Sequence, residues 1–155
     1  MIPIVYRPAM ESDLTFLLDL RLKTMTQHLI AAALPTTRDS HLQRIKYKFE
    51  HAAIIEYNHI PIGLLKIEKG RAHIELIQIQ IDPRYQGKGL GKKILKNLIN
   101  EAIYEGKSIS LHVLKTNKAQ KLYFSLGFEI IGEDEHSYHM KYSNKDKILK
   151  NRSAL

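Results

Sequence analysis

The chain has 155 residues, 44% hydrophobic and 26% charged, which suits one globular domain and excludes both a multidomain machine and a chain disordered throughout. It has no cysteine, so disulfides, thiolate nucleophiles and cysteine-ligated zinc are excluded and a reducing cytoplasm is the expected compartment. The formal charge is +8, from 24 Lys+Arg against 16 Asp+Glu, and it is uneven: residues 84–121 carry nine basic and two acidic side chains (+7), residues 143–155 four and one (+3), and the rest −2. That distribution points to one segment with an anionic partner rather than to a nucleic-acid coat.

In chain order, Ile4 to Arg7 is a short strand ended by Pro8. Ser12 or Asp13 is expected to cap a helix through Leu14, Leu17, Leu18, Leu22, Met25 and Leu29, which keep helical spacing. A second helix is expected from about Thr37 to Phe49, with Leu42, Ile45 and Phe49 inward. Ala52 to Tyr57 and Ile60 to Glu68 read as a hairpin turning at Asn58-His59, and a long strand from Ala72 to Ile81 ends at Asp82-Pro83. The loop Gln86-Gly87-Lys88-Gly89-Leu90-Gly91 opens a helix carrying Ile94, Leu95, Leu98, Ile99 and Ala102, stopped by Gly106. Ser108 to Leu114 is a strand, and Asn117 starts a helix that runs to Leu126. The strands Phe128 to Gly132 and Ser137 to Tyr142 close a domain spanning 1–142, followed by a basic tail over 143–155. The order β-α-α-β-β-β-α-β-α-β-β predicts an α/β (α+β) layered domain with a mixed sheet. No stretch reaches the ~18 apolar residues of a membrane span, and no basic leader precedes an apolar run; a soluble cytoplasmic protein is expected.

A strand, close-spaced glycines and a helix start form a recipe for anion binding, because backbone amides can approach a ligand and the helix dipole favours negative charge. Two familiar phosphate loops fail on spacing. A Walker A loop needs its glycines farther apart than Gly87 and Gly91 and then Lys-Ser/Thr, whereas Lys92 precedes Lys93; a dinucleotide fingerprint needs glycine where Lys92 stands. What fits is Gln-x-x-Gly-x-Gly at Gln86 to Gly91. Together with Ile79-Gln80-Ile81-Asp82-Pro83 before it and Asn117 to Phe128 after it, this closely resembles the GCN5-related N-acetyltransferase (GNAT) family, and the element order over 4–142 extends the resemblance to nearly the whole chain.

The resemblance implies a mostly antiparallel central sheet flanked by about four helices, acetyl-CoA as acetyl donor, an amine acceptor and no metal. It implies that Gln86, Gly87, Lys88, Gly89, Leu90, Gly91 and Lys92 cradle pyrophosphate, that Ile79, Gln80 and Ile81 line the pantetheine arm through their backbone, and that Asn117 contacts the cofactor while capping its helix. Tyr123 stands where the family often places its general acid, contacting the cofactor as well. Glu75 lies eleven residues before Gln86, where some members carry a catalytic glutamate. It also shares an alternation face with Ile77, Ile79 and Ile81, so burial is expected to raise its pKa towards a working base. The alternative on the same fold is a non-catalytic acetyl-CoA-binding regulatory module.

Other constellations carry less. His136 and His139 fall on opposite faces of a strand and no His-Glu-x-x-His occurs, so no metal site is expected; His112 reads as packing. Glu133-Asp134-Glu135 reads as a solvated turn, or as a lure for a cationic acceptor. Only Tyr85 and Tyr104 interleave with the basic residues of 84–121, which argues against a nucleic-acid partner. The amine acceptor is not named by the sequence, and the oligomeric state stays open, a homodimer included.

Overall fold

The computed structural model describes residues 4–143. The elements are β1 (Ile4–Pro8), α1 (Leu14–Ala31), α2 (Arg38–Lys46), β2 (Ala52–Tyr57), β3 (Ile60–Lys69), β4 (His73–Ile81), α3 (Leu90–Glu105), β5 (Ser108–Leu114), α4 (Gln120–Ser125), β6 (Glu129–Glu133) and β7 (Ser137–Tyr142), in the expected order. The strands form a seven-stranded mixed sheet ordered β1-β2-β3-β4-β5-β7-β6. The pairs β1–β2, β2–β3, β5–β7 and β6–β7 are antiparallel, and β4 runs parallel to β5. The basic tail lies outside the described residues except for Ser143.

The described residues form two compact units, one of residues up to 67 with 77–91, the other of residues 68–76 with 92 onward. The first unit is built on Leu17, Leu20, Ile45, Ala52, Ile54 and Leu64, with Leu14, Leu18, Leu42 and Phe49 packed at the edge. Leu22 departs from the expected face and is 44% exposed, because α1 turns Leu20 and Arg21 inward instead. Asp13 does not cap α1 with its side chain. Its carboxylate accepts the Met10 amide at 2.8 Å and pairs with Arg7 at 2.8 and 2.9 Å, fastening the turn that enters the helix. Thr37 caps α2, its hydroxyl accepting the Ser40 amide at 3.2 Å. The helix stops at Lys46 rather than Phe49, and Lys48 then takes a left-handed φ of 49°. Asn58 and His59 both have positive φ, 51° and 64°, as a type I′ hairpin requires.

At Gly63 the backbones of β3 and β4 come so close that a Cβ would lie 2.5 Å from the Gln80 carbonyl oxygen. The Asp82 amide donates to the Ile62 carbonyl at 2.7 Å just beyond. In the second unit, Ile94, Leu95, Leu98, Ile99 and Ala102 of α3 are buried, as are Ile74, Leu76, Ile109, Leu111, Val113, Phe128 and Met140.

Candidate functional site

In the first unit, the buried side chains of β4 beyond Leu76 are Gln78, Gln80 and Ile81, and Ile79 is half-buried. The parallel register with β5 covers His73–Leu76 and ends there. Asp82 is buried, and its carboxylate accepts the backbone amide of Arg84 at 3.0 Å and its guanidinium at 3.1 and 3.3 Å; those Arg84 bonds hold the carboxyl below the ordinary carboxylate range. The turn Pro83–Tyr85 follows, and then the glycine loop. Gly87 and Gly89 take φ of 76° and 78°, which side-chain-bearing residues rarely adopt, with no atom within 4 Å of where a Cβ would stand. Among the described residues, the amides of Gly87, Lys88 and Gly89 make no backbone hydrogen bond, and they lead into the first turn of the 16-residue α3. Three open amides ahead of a helix dipole fit an oxyanion such as a pyrophosphate. Lys88 and Lys92 are exposed beside them.

Gln86 behaves differently from its neighbours. Its side-chain amide donates to the Ile81 carbonyl at 2.8 Å, so it ties the loop back to the end of β4.

In the second unit, Tyr123 of α4 is 7% exposed and packs edge-on against Phe128 with ring centroids 5.7 Å apart. Burial pushes its phenol up to about 12. The helix carrying it is held at both ends. The Asn117 side-chain oxygen accepts the Ala119 amide at 2.9 Å, the Gln120 amide group donates to the Leu114 and Lys115 carbonyls at 3.1 and 2.8 Å, and the Phe128 amide donates to the Tyr123 carbonyl at 3.0 Å. Asn117 therefore does not cap the helix as expected: the N-cap position is Ala119, and Asn117 closes the turn two residues before it.

Glu75 is not on the buried face of β4. The buried alternation set is Ile74, Leu76, Gln78 and Gln80, while His73, Glu75, Ile77 and Ile79 are half-buried. The two glutamines read as polar in the sequence and disguised which set points inward. Glu75 shares its face with a row of polar groups: His73, bonded through its ring nitrogens to Ser108 and Ser110 at 2.8 and 2.6 Å, then His112 and His139, paired across β5 and β7 and stacked at 4.1 Å with an 18° interplanar angle. His139 is held below its ordinary value by burial and by His112, with Glu75 pulling the other way. The sequence gives His112 as packing and leaves His139 unassigned; their union depends on the β5–β7 register. In the acidic triplet, Asp134 accepts the His136 and Ser137 amides at 2.9 and 2.7 Å and so closes the last hairpin. Among the described residues no group of three or more His, Asp or Glu is placed to hold a metal ion, and no helix is long and apolar enough to cross a membrane.

A family model described as an acetyltransferase (GNAT) domain matches residues 22–144. The chain belongs to this family. Among curated GNAT relatives, the spermine/spermidine N(1)-acetyltransferase of Bacillus subtilis (strain 168) is 50% identical over 56 residues, 34% of this chain and 37% of that protein. The [ribosomal protein bS18]-alanine N-acetyltransferase of Haemophilus ducreyi is 37% identical over 76 residues, 48% of this chain and 52% of that protein. The chain thus spans from about a third to about half of the length of these curated relatives. Among solved structures, the PaiA N-acetyltransferase from Thermoplasma acidophilum in complex with coenzyme A superposes with a TM-score of 0.70 at 16% identity, covering 92% of this chain and 99% of that one. That likeness carries the fold: a mixed sheet of seven strands with four helices, as the sequence resemblance implied.

Proposed function

We propose that the chain is an acetyl-CoA-dependent N-acetyltransferase that moves the acetyl group to a primary amine by direct attack on the thioester, with residues 1–142 acting as one domain in the cytoplasm. The observation that carries this reading is the glycine loop of a GNAT-family chain, with positive φ at Gly87 and Gly89 and open amides ahead of α3. On this reading Gly87, Lys88, Gly89, Leu90, Gly91 and Lys92 receive the pyrophosphate of acetyl-CoA. The backbone of Ile79, Gln80 and Ile81, which lies past the end of the β5 register, receives the pantetheine arm. Asn117 and Tyr123 are the further cofactor-binding residues that the family resemblance implies, and Gln86 keeps the loop in place.

The chemistry sets the remaining roles. A lysine-like amine with a pKa of ~10.4 is neutral in only about one molecule in 2,500 at neutral pH, so a proton must leave before attack. Glu75, with His112 and His139 on its face, is the group we assign to take it. Attack by the amine lone pair on the carbonyl carbon forms the C–N bond and an oxyanion, which a backbone amide near Ile79 stabilises; collapse breaks the C–S bond, and the thiolate ends with the second amine proton. A phenol near 12 does not fully protonate a thiolate of pKa ~8.5, since that transfer is uphill by about 5 kcal/mol. Tyr123 therefore acts by hydrogen bonding to the sulfur as its charge develops.

The test is a thiol-release assay with acetyl-CoA against a panel of diamines, amino acids and peptide N-termini. Amine-dependent release is expected. Tight acetyl-CoA binding without release by any amine would replace this reading with the non-catalytic module.

A further inference from the structure

Beyond Leu76 the pairing of β4 with β5 ends, so the stretch of β4 proposed to receive the donor has lost a neighbouring strand. Such a stretch needs other support if its amides are to hold a fixed position. On the β3 side the backbone supplies it, through the close approach at Gly63 and the bond from the Asp82 amide to the Ile62 carbonyl. Nearer the start of the stretch a side chain does so. Gln78 is 8% exposed, and its Nε2 donates to the Arg44 carbonyl of α2 at 3.2 Å.

That carbonyl is itself anchored. The Lys66 ammonium of β3 is fully buried and donates to the carbonyls of Arg44, Ile45 and Tyr47 at 3.1, 2.9 and 2.6 Å, filling the C-terminal turn of α2, whose last carbonyls lack partners within the helix. Only His41 and Ile45 of this helix are buried outright, so these bonds carry much of its seat. Neither partner is what a core built for stability alone would select. Burial and the neighbouring Arg44 and Arg21 lower Lys66 to about 8, and the Oε1 of Gln78 is buried with no partner among the described residues. Two costly polar side chains thus meet on one carbonyl, and one of them directly precedes Ile79. Departures of this kind mark places where position matters more than stability.

We propose that Gln78 is a positioning residue of the acetyl-transfer site: through the Arg44 carbonyl that Lys66 anchors, it braces β4 against α2 just past the end of the β5 pairing and so fixes the amide near Ile79 that faces the oxyanion. The role of that amide rests on the acetyltransferase reading. The brace itself stands on the first unit alone.

Two variants of the full chain test it. Gln78→Met nearly keeps the side-chain volume and removes both the Arg44 bond and the unpartnered oxygen, so the melting temperature should hold. Deuterium uptake by a peptide covering 77–82 should nevertheless rise, and kcat should fall by about 2- to 12-fold, with KM for acetyl-CoA nearly unchanged because the glycine loop is intact. Lys66→Met should produce the same two effects by releasing the Arg44 carbonyl, and Gln78→Met should add little in that background. Unchanged uptake in Gln78→Met, or an unchanged kcat in an enzyme that turns over, overturns the assignment, and so do effects of the two variants that add in full. Should Lys66→Met not fold, Gln78→Met decides alone. If no amine releases CoA from the native protein, the acetyltransferase reading fails instead, and the uptake comparison still decides whether Gln78 braces the strand.

Discussion

The side-chain amide of Gln86 donates to the carbonyl oxygen of Ile81, 2.8 Å away and five residues back in the chain, so the first residue of the glycine loop closes a ring onto the last residue of β4. The loop's open amides are thereby held in fixed register with the strand proposed to hold the donor. One hydrogen bond of this kind contributes about 0.5–1.5 kcal/mol. Gln86→Ala should raise KM for acetyl-CoA by about 2- to 12-fold, leave kcat at saturation nearly unchanged and hardly move the melting temperature. A loss in kcat with KM unchanged would show that Gln86 acts elsewhere.

Gly63→Ala should destabilise the protein by about 1–3 kcal/mol, because the new methyl would sit 2.5 Å from the Gln80 carbonyl and the rigid backbone must move. The urea midpoint reports this. Gln80 lies between Ile79 and Ile81, so acetyl-CoA affinity should fall in the same variant.

Tyr123→Phe should lower kcat by about 10- to 100-fold with little change in acetyl-CoA affinity, since only a hydrogen bond to the leaving sulfur is lost. The ring stays packed on Phe128, so the melting temperature should hold. Glu75→Gln should lower kcat/KM by about 100-fold or more with acetyl-CoA affinity unchanged. An unchanged rate would move the base to His112 or His139.

Stability should be greatest on the alkaline side. His41 and His139 are depressed, so the folded state resists protonation and stability is lost as pH falls below about 6.5. Lys66 is depressed to about 8 against an unfolded value of ~10.4, so over that interval the unfolded chain binds the extra proton and stability climbs with pH. Tyr123 works in the opposite sense: its phenol is raised from about 10 to about 12, and stability is lost as pH rises through that range. Arg21, lowered to about 10 by burial, opposes the Tyr123 loss over the same range, so melting temperatures taken across pH should climb from about 8 to about 10, and Lys66→Met should remove that climb.

Element order and the glycine loop were legible because each rests on local signals: proline and glycine punctuation, helical spacing, and strand alternation. Glu75 was misplaced because Gln78 and Gln80 are buried side chains with polar formulae, and the alternation alone assigned the wrong inner face. The His112–His139 stack could not be read before the β5–β7 register was known. The burial of Arg21 was hidden for a related reason. The expected inward face of α1 ran through Leu18 and Leu22, whereas Leu20 and Arg21 turn inward, and Lys66, set in the apolar run Ile62 to Ile67, was the one available hint that a charge is buried there.

The short helix α4 has six residues, too few to pay the nucleation cost of a helix alone. Its order is borrowed from Asn117, from the two carbonyls that Gln120 grips, and from the Phe128 amide. The residue proposed nearest the departing sulfur thus rides on the segment with the least intrinsic stability. Amides of residues 121–126 should exchange with deuterium well before those of α3, and bound acetyl-CoA should slow them selectively.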